Sequence, residues 1–541
     1  MSAVDVNAAL GRVGLPAPVG ELAARDWDAI VVGGGHNGLT AAAYLARAGK
    51  AVLVLERREQ LGGACTLEQP FPEREYLVSP CAYVVGMLDQ VVVAELDLRR
   101  HGYEVVLADP NSWCPFSDGT SFAQFLDEER TAAHMRENGF SEADIRGTLA
   151  YEEVFGRARR LLRSGPLGDT WKGASPSRAE IEAALGDEEL ISVVFEEPIA
   201  ETIDRYVSDQ RLKDALFGQG VIGAYAGPRD PGTASVHLMH SQGEVEGHGA
   251  EWGYVVGGMG RVSFAIAQAA IEAGATIAAG VPVARILPGE RVELESGDRL
   301  RAPIVVSNAD PKRNLAMLEP EAVPAAYRER LEGWKVRSPV VKLNAALSKL
   351  PTFEAAGDFE PQRSMISIQQ GIDAAQEAFE ACTRGEPRIG FAELYFQTAY
   401  DPSVAPPGRH TMSAFCQYAP YELADGGWDS RRDEIGGMVL DAIAAYAPDV
   451  HECVERLQVL GPPDIEAGIG LTGGQIFQGE ALPDQMWDRR LTWRTPIDGF
   501  YMCGAATHPA GSVIALNGRG AAMAVLEDVE GAVLAASAGA A

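Results

Sequence analysis

The sequence predicts an α/β fold in which a parallel sheet carries a glycine-rich nucleotide-binding turn. A short β-branched run, AIVV (29–32), is typical of a buried parallel strand, and a G-x-G-x-x-G motif follows it directly. The next segment, GLTAAAYLARAG, has the pattern of a helix, and AVLVLE (51–56) is a second strand that ends in Glu56. Strand, glycines, helix, strand and terminal acid in this order predict a Rossmann-type dinucleotide-binding unit.

Each glycine of this motif has a physical role in binding a pyrophosphate. Gly33 permits the tight turn, Gly35 lets the backbone approach the phosphates, and Gly38 lets the helix pack on the sheet. The phosphates then meet free N–H groups at the amino end of the helix. Glu56, about twenty residues further on, accepts hydrogen bonds from ribose hydroxyls. The motif alone leaves FAD and NAD both open.

Two features favour FAD. Gly62 and Gly63 follow the acid closely, at the point where flavoproteins of this kind return to the pyrophosphate. The unit also lies near the amino terminus, where FAD proteins of this type usually begin. We predict that the FAD is bound non-covalently, because Cys503 falls on a predicted strand and not at a position of flavin linkage.

Composition limits the partners. The chain has 541 residues and a formal net charge of −30, which argues against nucleic acid and against broad adhesion to anionic lipid. One basic run, RARRLLR (157–163), predicts a solvated helix face, with a membrane-contact patch as the lesser alternative. Seven scattered cysteines and the lack of a signal-peptide pattern or a membrane-length apolar stretch indicate a cytoplasmic protein. We expect peripheral membrane contact at most.

A middle segment extends the pattern. GGMGRVSFAIAQAAIEAGATI (257–277) predicts a helix that ends at Gly274, and strand-like runs follow it. Together with VVSNADP (305–311), it resembles the phytoene desaturase branch of FAD-dependent oxidoreductases. KLNAALSKLP (342–351) and GGQIFQGEALPDQMWDRR (473–490) extend this resemblance. These motifs also resemble those of bacterial relatives of pyridine nucleotide-disulphide oxidoreductase domain-containing protein 2.

The resemblance covers about residues 26–530 and implies two domains, each built from separate parts of the chain. One is a Rossmann-type FAD-binding domain of the glutathione-reductase/amine-oxidase kind, and the other is an α+β substrate domain. The implied boundaries are 1–25 for a lead segment, 26–105, 250–315 and 456–530 for the FAD-binding domain, 106–249 and 316–455 for the substrate domain, and 531–541 for a mobile tail.

The stretch CGAATHPAGSVIALNGRG (503–520) takes the place of the family's closing motif LYLCGAxTHPGGGV. The resemblance implies a helix that begins near Ser512 and directs its amino end at the flavin pyrimidine edge. The family's triple glycine is Ala510-Gly511-Ser512 here, with Ile514 beyond it. We expect the added side chains to narrow the space beside the flavin ring and to exclude long, rigid carotenoids.

The resemblance also gives three candidates for catalysis and several cofactor contacts. His508 lies near the flavin, where it either transfers a proton or orients the loop. Arg489, or its neighbour Arg490, lines the cleft or carries a surface charge, and Tyr83 faces the substrate or packs in the core. The further cofactor contacts are Asn37, Arg57, Ala64, Val283, Gly504, Ser512 and Val513.

The sequence predicts an FAD-dependent dehydrogenase or desaturase that takes hydride from an apolar or amphipathic organic substrate to flavin N5, with oxygen or quinone as electron acceptor. A redox-neutral isomerase or saturase of a polyene is the alternative. A non-enzymatic prenyl-binding module of the same fold is disfavoured, because it has no need of the intact glycine motif. His237, His240 and His248 form the nearest histidine cluster, but without acids at ligand spacing they predict no metal site. The oligomeric state stays open.

Overall fold

The structure is a computed structural model that describes residues 11–12, 19–357 and 359–539, the last eight by their backbone. The strands are β1 (Ala29–Val32), β2 (Val52–Glu56), β3 (Val105–Leu107), β4 (Ser112–Pro115), β5 (Ser121–Gln124), β6 (Glu244–Val245), β7 (His248–Gly249), β8 (Gly253–Val255), β9 (Thr276–Ala279), β10 (Val283–Leu287), β11 (Arg291–Leu294), β12 (Arg299–Arg301), β13 (Ile304–Ser307), β14 (Val340–Leu347), β15 (Met365–Gln369), β16 (Phe391–Tyr395), β17 (His410–Gln417), β18 (Val454–Leu460) and β19 (Phe500–Met502).

Helices connect and cover these strands. The α-helices are α1 (Val19–Ala23), α2 (His36–Arg47), α3 (Gln90–Glu95), α4 (Glu128–Glu137), α5 (Glu142–Ser164), α6 (Arg178–Leu185), α7 (Glu188–Phe195), α8 (Ile199–Tyr206), α9 (Gln210–Leu216), α10 (Thr233–His240), α11 (Gly260–Glu272), α12 (Pro311–Met317), α13 (Ala325–Glu332), α14 (Ile372–Thr383), α15 (Trp428–Ala444), α16 (Val450–Cys453), α17 (Pro462–Ile469) and α18 (Leu516–Gly539). Within the described residues, no helix is both long enough and apolar enough to cross a membrane.

A parallel sheet carries the glycine turn. Its strand order is β19-β13-β1-β2-β9, so the first strand of the chain lies at its centre. Val31 pairs with Val306 on one side and with Val54 on the other. One face of the sheet packs on α2, which in turn contacts α11 and α18, and the other face shares a core with β10, β11 and β12. Burial on both faces explains the unbroken apolar run of β1.

A second, mixed sheet has the strand order β18-β14-β17-β16-β15-β4-β5. Its strands pair antiparallel, except that β15 pairs parallel with β4. Successive side chains of a strand point to opposite faces. Val341 and Leu343 of β14 therefore pack in the core under α15, whereas Val340 and Lys342 face a cavity.

The strands of the two sheets divide between the two sets of predicted segments with one difference, and the domain boundaries themselves stay a prediction. The strands of the parallel sheet lie in the segments predicted for the FAD-binding domain, and β4, β5 and β14–β17 lie in those predicted for the substrate domain. The difference is β18, which begins at Val454 and pairs with β14 through Leu343 and Val459. Residues 456–460 thus belong to the second sheet, because their backbone completes its edge.

The predicted ends of the chain lie partly outside the described residues. Of the lead segment 1–25, residues 1–10 and 13–18 are not described, and α1 forms part of the rest. The predicted mobile tail 531–541 continues the backbone of α18 as far as Gly539, and residues 540–541 are not described.

The basic run 157–163 lies on α5. Each of its arginines contacts an acidic side chain of the same chain. The pairs and their N–O distances are Arg157–Asp187 at 2.6 Å, Arg159–Glu244 at 3.5 Å, Arg160–Glu153 at 2.5 Å and Arg163–Asp89 at 2.6 Å. These acids offset the positive charge of the run.

Candidate cofactor and substrate cavity

A cavity of about 420 Å³ extends from the glycine turn to the second sheet. Gly33, Gly35 and Glu56 line one end, at the carboxyl edge of the parallel sheet. Lys342 and Glu393, on β14 and β16, line the other end. The carboxyl edge of a parallel sheet is where α/β folds bind nucleotides, and this volume is in the range of small-molecule sites.

The turn between β1 and α2 depends on glycine for conformation and for space. Gly33 has a φ of +101°, in the region that disfavours side chains. A Cβ on Gly38 would lie 2.1 Å from the Gly33 carbonyl oxygen, so Gly38 is where helix and strand meet most closely. Gly35 lines the cavity, and a Cβ there would lie 2.6 Å from Asn308 Nδ2. Gly38 therefore permits the close packing of α2 on β1, and Gly35 permits a ligand to approach the backbone of the turn.

The second glycine pair returns to this turn. The Gly62 amide donates to the Gly34 carbonyl oxygen at 2.8 Å, and a Cβ on Gly63 would lie 3.3 Å from the Gly35 Cα. Gly62, Gly63 and Ala64 all line the cavity. The backbone of both glycine segments thus borders the same space.

The amino end of α2 faces the cavity without a side-chain cap. Gly35 is its N-cap and supplies no side chain, so the first amides stay available to an anion. His36 and Asn37 line the cavity, and His36 Nε2 and Asn37 Oδ1 are buried without partners among the described residues. Burial lowers the pKa of His36 to about 4, so its ring is neutral at physiological pH. The uncapped helix amides can donate to a phosphate-bearing ligand, and so can His36 Nε2 in the tautomer that places the proton there.

Glu56 ends β2 with its carboxylate held in place. Oε2 accepts from the Gly34 amide at 2.7 Å, and Oε1 accepts from the Arg58 amide at 2.8 Å. A carboxylate has further acceptor capacity, so a ribose hydroxyl can share these oxygens. Arg57, Val283 and Glu56 line the cavity together. Three residues predicted to contact the cofactor therefore meet in one place.

The closing segment differs from the expectation. α18 begins at Leu516, not near Ser512, because Ser512 and Ala515 have φ values of +103° and +67°, which no α-helix contains. Ser512 and Val513 line the cavity, whereas Ala510 and Ile514 are fully buried outside its lining. The expectation that Ala510 and Ile514 narrow the cavity is thus wrong, since these side chains are packed in the core.

Four other predicted site residues also lie outside the cavity lining. Gly38 packs helix on strand, and a Cβ on Gly504 would lie 2.3 Å from Gln478 Oε1. His508 Nε2 is 2.7 Å from the Thr170 carbonyl oxygen, and burial lowers the pKa of His508 to about 4. Arg489 is exposed. His508 therefore orients the loop, and neither His508 nor Arg489 borders the cavity.

Arg490, the neighbour considered with Arg489, is a buried structural cation. Its guanidinium donates to the carbonyl oxygens of Phe477 at 2.8 Å and Glu480 at 2.9 Å. Burial lowers the pKa of Arg490 to about 9. The side chain fastens the 477–490 loop beneath the cofactor end of the cavity.

The sequence interpretation missed a buried lysine. Lys342 is 1% exposed, lines the cavity, and its Nζ has no hydrogen-bond partner among the described residues. Nζ lies 3.5 Å from the centre of the Tyr83 ring, a cation–π distance. Burial lowers the pKa of Lys342 to about 7. Tyr83, a predicted candidate, is thus at the cavity wall in contact with a cation that was not predicted.

Glu393 faces the same chamber. It is 5% exposed, accepts from Gln219 Nε2 at 3.1 Å, and accepts from the Tyr395 hydroxyl. Burial raises the pKa of Glu393 to about 7. Lys342 and Glu393 are both register partners of Phe415, so one strand separates them on a single face of the sheet.

A sequence signal for both residues exists. VVKLNAAL (340–347) and FAELY (391–395) are apolar strand patterns, each interrupted by one charged residue. Charged side chains are rarely buried without a reason. A lone charge inside such a run indicates a buried polar site, although it does not identify the partner strand.

The three histidines considered for a metal have separate surroundings. His237 stacks on Phe155 with 4.0 Å between ring centres, and His240 lines the cavity with Nδ1 3.2 Å from the Gln219 carbonyl oxygen. His248 lies on the exposed strand β7. In the part of the chain that the structure describes, no group of three or more His, Cys, Asp or Glu side chains is arranged to hold a metal.

The chain shares sequence and fold with named proteins. Residues 31–84 match the family described as NAD(P)-binding Rossmann-like domain. Pyridine nucleotide-disulfide oxidoreductase domain-containing protein 2 of Mus musculus is 33% identical, over 93% of this chain and 94% of that protein. Phytoene desaturase of Cercospora nicotianae is 30% identical, over 61% of this chain and 52% of its own. A solved putrescine oxidase variant has a TM-score of 0.60 at 16% identity, covering 93% of this chain and 99% of the other.

These findings confirm the predicted fold class and the predicted family. The parallel sheet, the glycine turn and the matched Rossmann-like domain give the α/β class, and the solved oxidase has a similar fold. Identity of 33% across nearly the full length of both chains shows common ancestry with the mouse protein. The chain belongs to the family of pyridine nucleotide-disulfide oxidoreductase domain-containing protein 2.

Proposed function

We propose that the protein is an FAD-dependent oxidoreductase that oxidises a carbon–hydrogen bond of an amphipathic organic substrate. The observation that carries this proposal is the continuity of the cavity, which joins the dinucleotide turn to an enclosed chamber on the second sheet. A ligand at the turn and a second ligand at the sheet would share one space. When bound, FAD supplies a hydride acceptor at flavin N5.

We propose FAD over NAD(P) as the cofactor, although the matched family is named for NAD(P). Gly62 and Gly63 return to the first turn, and Ser512 and Val513 of the closing segment line the same cavity. A dinucleotide seated on Gly35 and Glu56 would extend toward that closing segment. We infer non-covalent binding, since Cys503 is buried outside the cavity lining.

The chain's own residues would orient the substrate and exclude water. Ile222, Trp252, Val340, Met365 and Phe415 give the substrate end an apolar wall. Lys342, Glu393 and Tyr395 are ionisable groups on the second sheet that border this chamber. Because burial brings the pKa values of Lys342 and Glu393 to about 7, either of these two groups can hold or release a proton near neutral pH.

The reaction type has one competing candidate. Phytoene desaturase is a relative, and a polyene isomerase or saturase on the same fold needs only an apolar chamber. The buried Lys342 and Glu393 favour an oxidation that accompanies a proton shift over chemistry on a plain hydrocarbon. Oxygen or a quinone is the proposed electron acceptor. A prenyl-binding module is disfavoured, because it would not need the open space at Gly35.

The proposal is tested by anaerobic titration of the purified holoprotein with polyenes, cyclic ketones, amines and acyl compounds. We expect at least one class to bleach the oxidised flavin absorbance, and admission of air or a quinone to restore it. An isomerase would convert its substrate without bleaching. A protein purified without any flavin would contradict the proposal.

A further inference from the structure

We propose that the cavity selects substrates that carry a carbonyl or carboxylate oxygen, which binds over Phe415 between Lys342 and Glu393. The apolar remainder of the substrate would lie along the wall of the same chamber. This inference rests on the proposed function, whose substrate class it names.

The first support is the unsatisfied donor at Lys342. Its Nζ is buried and has no acceptor among the described residues, and the face of the Tyr83 ring lies 3.5 Å from it. A buried donor without an acceptor is costly, so a ligand that brings an oxygen gains the full benefit of satisfying it. A carbonyl or carboxylate oxygen is such an acceptor.

The second support is the spacing across the sheet. Lys342, Phe415 and Glu393 are aligned in register on β14, β17 and β16. Neighbouring strands are about 4.8 Å apart, so the outer two backbones are separated by about 10 Å. Among the described residues, no ion pair joins Lys342 to Glu393, and the Phe415 ring forms the floor between them. The gap has room for a small polar head.

The third support is that both carboxyl oxygens of Glu393 already accept hydrogen bonds within the chain. Gln219 and Tyr395 already donate to its two oxygens. A cationic head such as an amine would therefore find these oxygens engaged and would also face Lys342. An oxygen head instead meets the free donor, and its apolar chain meets Ile222 and Met365. The arrangement favours acyl compounds over amines and hydrocarbons of equal length.

The first experiment compares four probes of one chain length on the wild-type holoprotein by isothermal titration calorimetry: octanoate, 2-octanone, 1-octene and octylamine. We expect octanoate or 2-octanone to bind at least about tenfold more tightly than 1-octene and octylamine, as one hydrogen bond to a charged donor predicts. Equal binding of 1-octene, or tighter binding of octylamine, would overturn the inference.

The second experiment removes the donor. Lys342→Met keeps the length and apolar stem of the side chain, and Lys349→Met, an exposed lysine beyond the end of β14, is the matched control. We expect Lys342→Met to lose the preference for the oxygen-bearing probes, about tenfold, and Lys349→Met to keep it. An unchanged preference in Lys342→Met would overturn the assignment, and the wild-type ranking decides the matter if that variant fails to fold.

The pH dependence of binding distinguishes a carboxylate head from a carbonyl head. The titratable groups near Lys342 are Glu393, Cys81, Tyr83 and, from the other face of β17, Cys416. Burial raises the pKa of Cys81 to about 12 and raises the pKa values of Tyr83 and Cys416 as well, so these three groups stay neutral. Above pH 7 Lys342 loses its charge and Glu393 gains one. Octanoate affinity should therefore fall between pH 6 and pH 9, whereas 2-octanone affinity should change less. Octanoate affinity that rises over this range would contradict the placement of its head beside Lys342.

The failure of this inference is distinguishable from failure of the proposed function. Calorimetry reads binding without turnover, so the ranking of probes does not depend on flavin reduction. A flavin-containing protein that prefers 1-octene would refute the substrate class and leave the oxidoreductase intact. A protein without flavin would refute the proposed function, and the inference with it.

Discussion

Lys342 and Glu393 are charged side chains that the fold buries against a cavity, at a cost that depends on pH. Burial lowers the pKa of Lys342 from 10.5 to about 7 and raises that of Glu393 from 4.5 to about 7. Each group is thus less stable in its charged form than it is in the unfolded chain. Retaining both groups in an otherwise apolar sheet indicates that they serve the ligand.

Glu393→Gln should change the pH dependence of stability. The folded pKa is raised, so Glu393 stabilises the fold when protonated, and that contribution is lost as the pH rises from 4.5 to 7. The free energy of unfolding of Glu393→Gln, taken relative to that of wild type, should therefore be higher at pH 8 than at pH 5, by roughly 2–3 kcal/mol. Urea denaturation at both pH values measures this difference.

Glu422→Gln, at an exposed position, is the control for this comparison and should show no such difference. A relative stability of Glu393→Gln that is the same at pH 5 and pH 8 would show that Glu393 does not titrate in this range.

Glu56→Ala should reduce flavin occupancy and also destabilise the fold. The change removes the proposed ribose contact and the acceptor for the Gly34 and Arg58 amides, each hydrogen bond to the charged group contributing about 1.5–3 kcal/mol. Flavin absorbance per protein in the purified variant measures occupancy, with exposed Glu59→Ala as the control. Full occupancy in Glu56→Ala would refute its role in binding the cofactor.

At the scale of elements, two glycines of the β1–α2 turn have different roles. Gly38 lets the helix pack on the strand, and Gly35 keeps the cavity open to a ligand. A Cβ on Gly38 would meet backbone at 2.1 Å, whereas a Cβ on Gly35 would meet the movable Asn308 side chain and project into the cavity. Gly38→Ala should therefore destabilise the protein by about 1–3 kcal/mol. Gly35→Ala should fold and bind less flavin.

Thermal melting and flavin absorbance, measured on both variants, distinguish these outcomes. Gly437→Ala on α15, where nothing lies within 4 Å of an added Cβ, is the control and should be neutral or slightly stabilising. Normal stability of Gly38→Ala would contradict the close contact of α2 with β1.

The closing segment gives a second prediction at this scale. Ser512 holds a φ of +103°, which glycine adopts without strain. Ser512→Gly should raise the stability by about 1 kcal/mol, after the added freedom of the unfolded chain is subtracted. Ser192→Gly, inside α7, should instead lower it. A melting temperature of Ser512→Gly below that of wild type would show that the serine hydroxyl outweighs the backbone strain.

The sequence predicts local patterns well, but it does not predict which strands pair with one another in a sheet. The glycine turn, β1, α2 and β2 follow from short-range spacing, and the strands predicted at 29–32 and 51–56 occur within one residue of these bounds. The Lys342–Phe415–Glu393 row depends on the pairing of β14, β17 and β16. No periodicity within a strand reveals which strands are paired, so this part of the site could not be predicted.

The prediction that Ala510 and Ile514 of the closing segment lie beside the flavin failed for a different reason. Resemblance placed Ala510 and Ile514 beside the flavin, but the positive φ values at Ser512 and Ala515 change the course of the backbone there. Once other residues replace the glycines of the motif, the sequence alone does not show in which direction the new side chains point. Ser512 and Val513 were placed at the cavity because the surrounding segment keeps its position after β19.

At the scale of the whole molecule, two sheets contribute to one cavity, and the account depends on what binds where they meet. Gly35, Glu56 and Ser512 line its cofactor end, and Lys342 and Glu393 line its substrate end. Both ends are needed for chemistry, because neither sheet alone presents both a dinucleotide turn and a chamber with ionisable groups.

The most direct test of the central claim is identification of the cofactor released from the purified protein by acid precipitation. The account predicts a yellow supernatant with FAD at about one molecule per chain, by absorbance and mass spectrometry, and a colourless pellet. Release of NAD(P) in its place, or a protein that is colourless and takes up no added FAD, would contradict it.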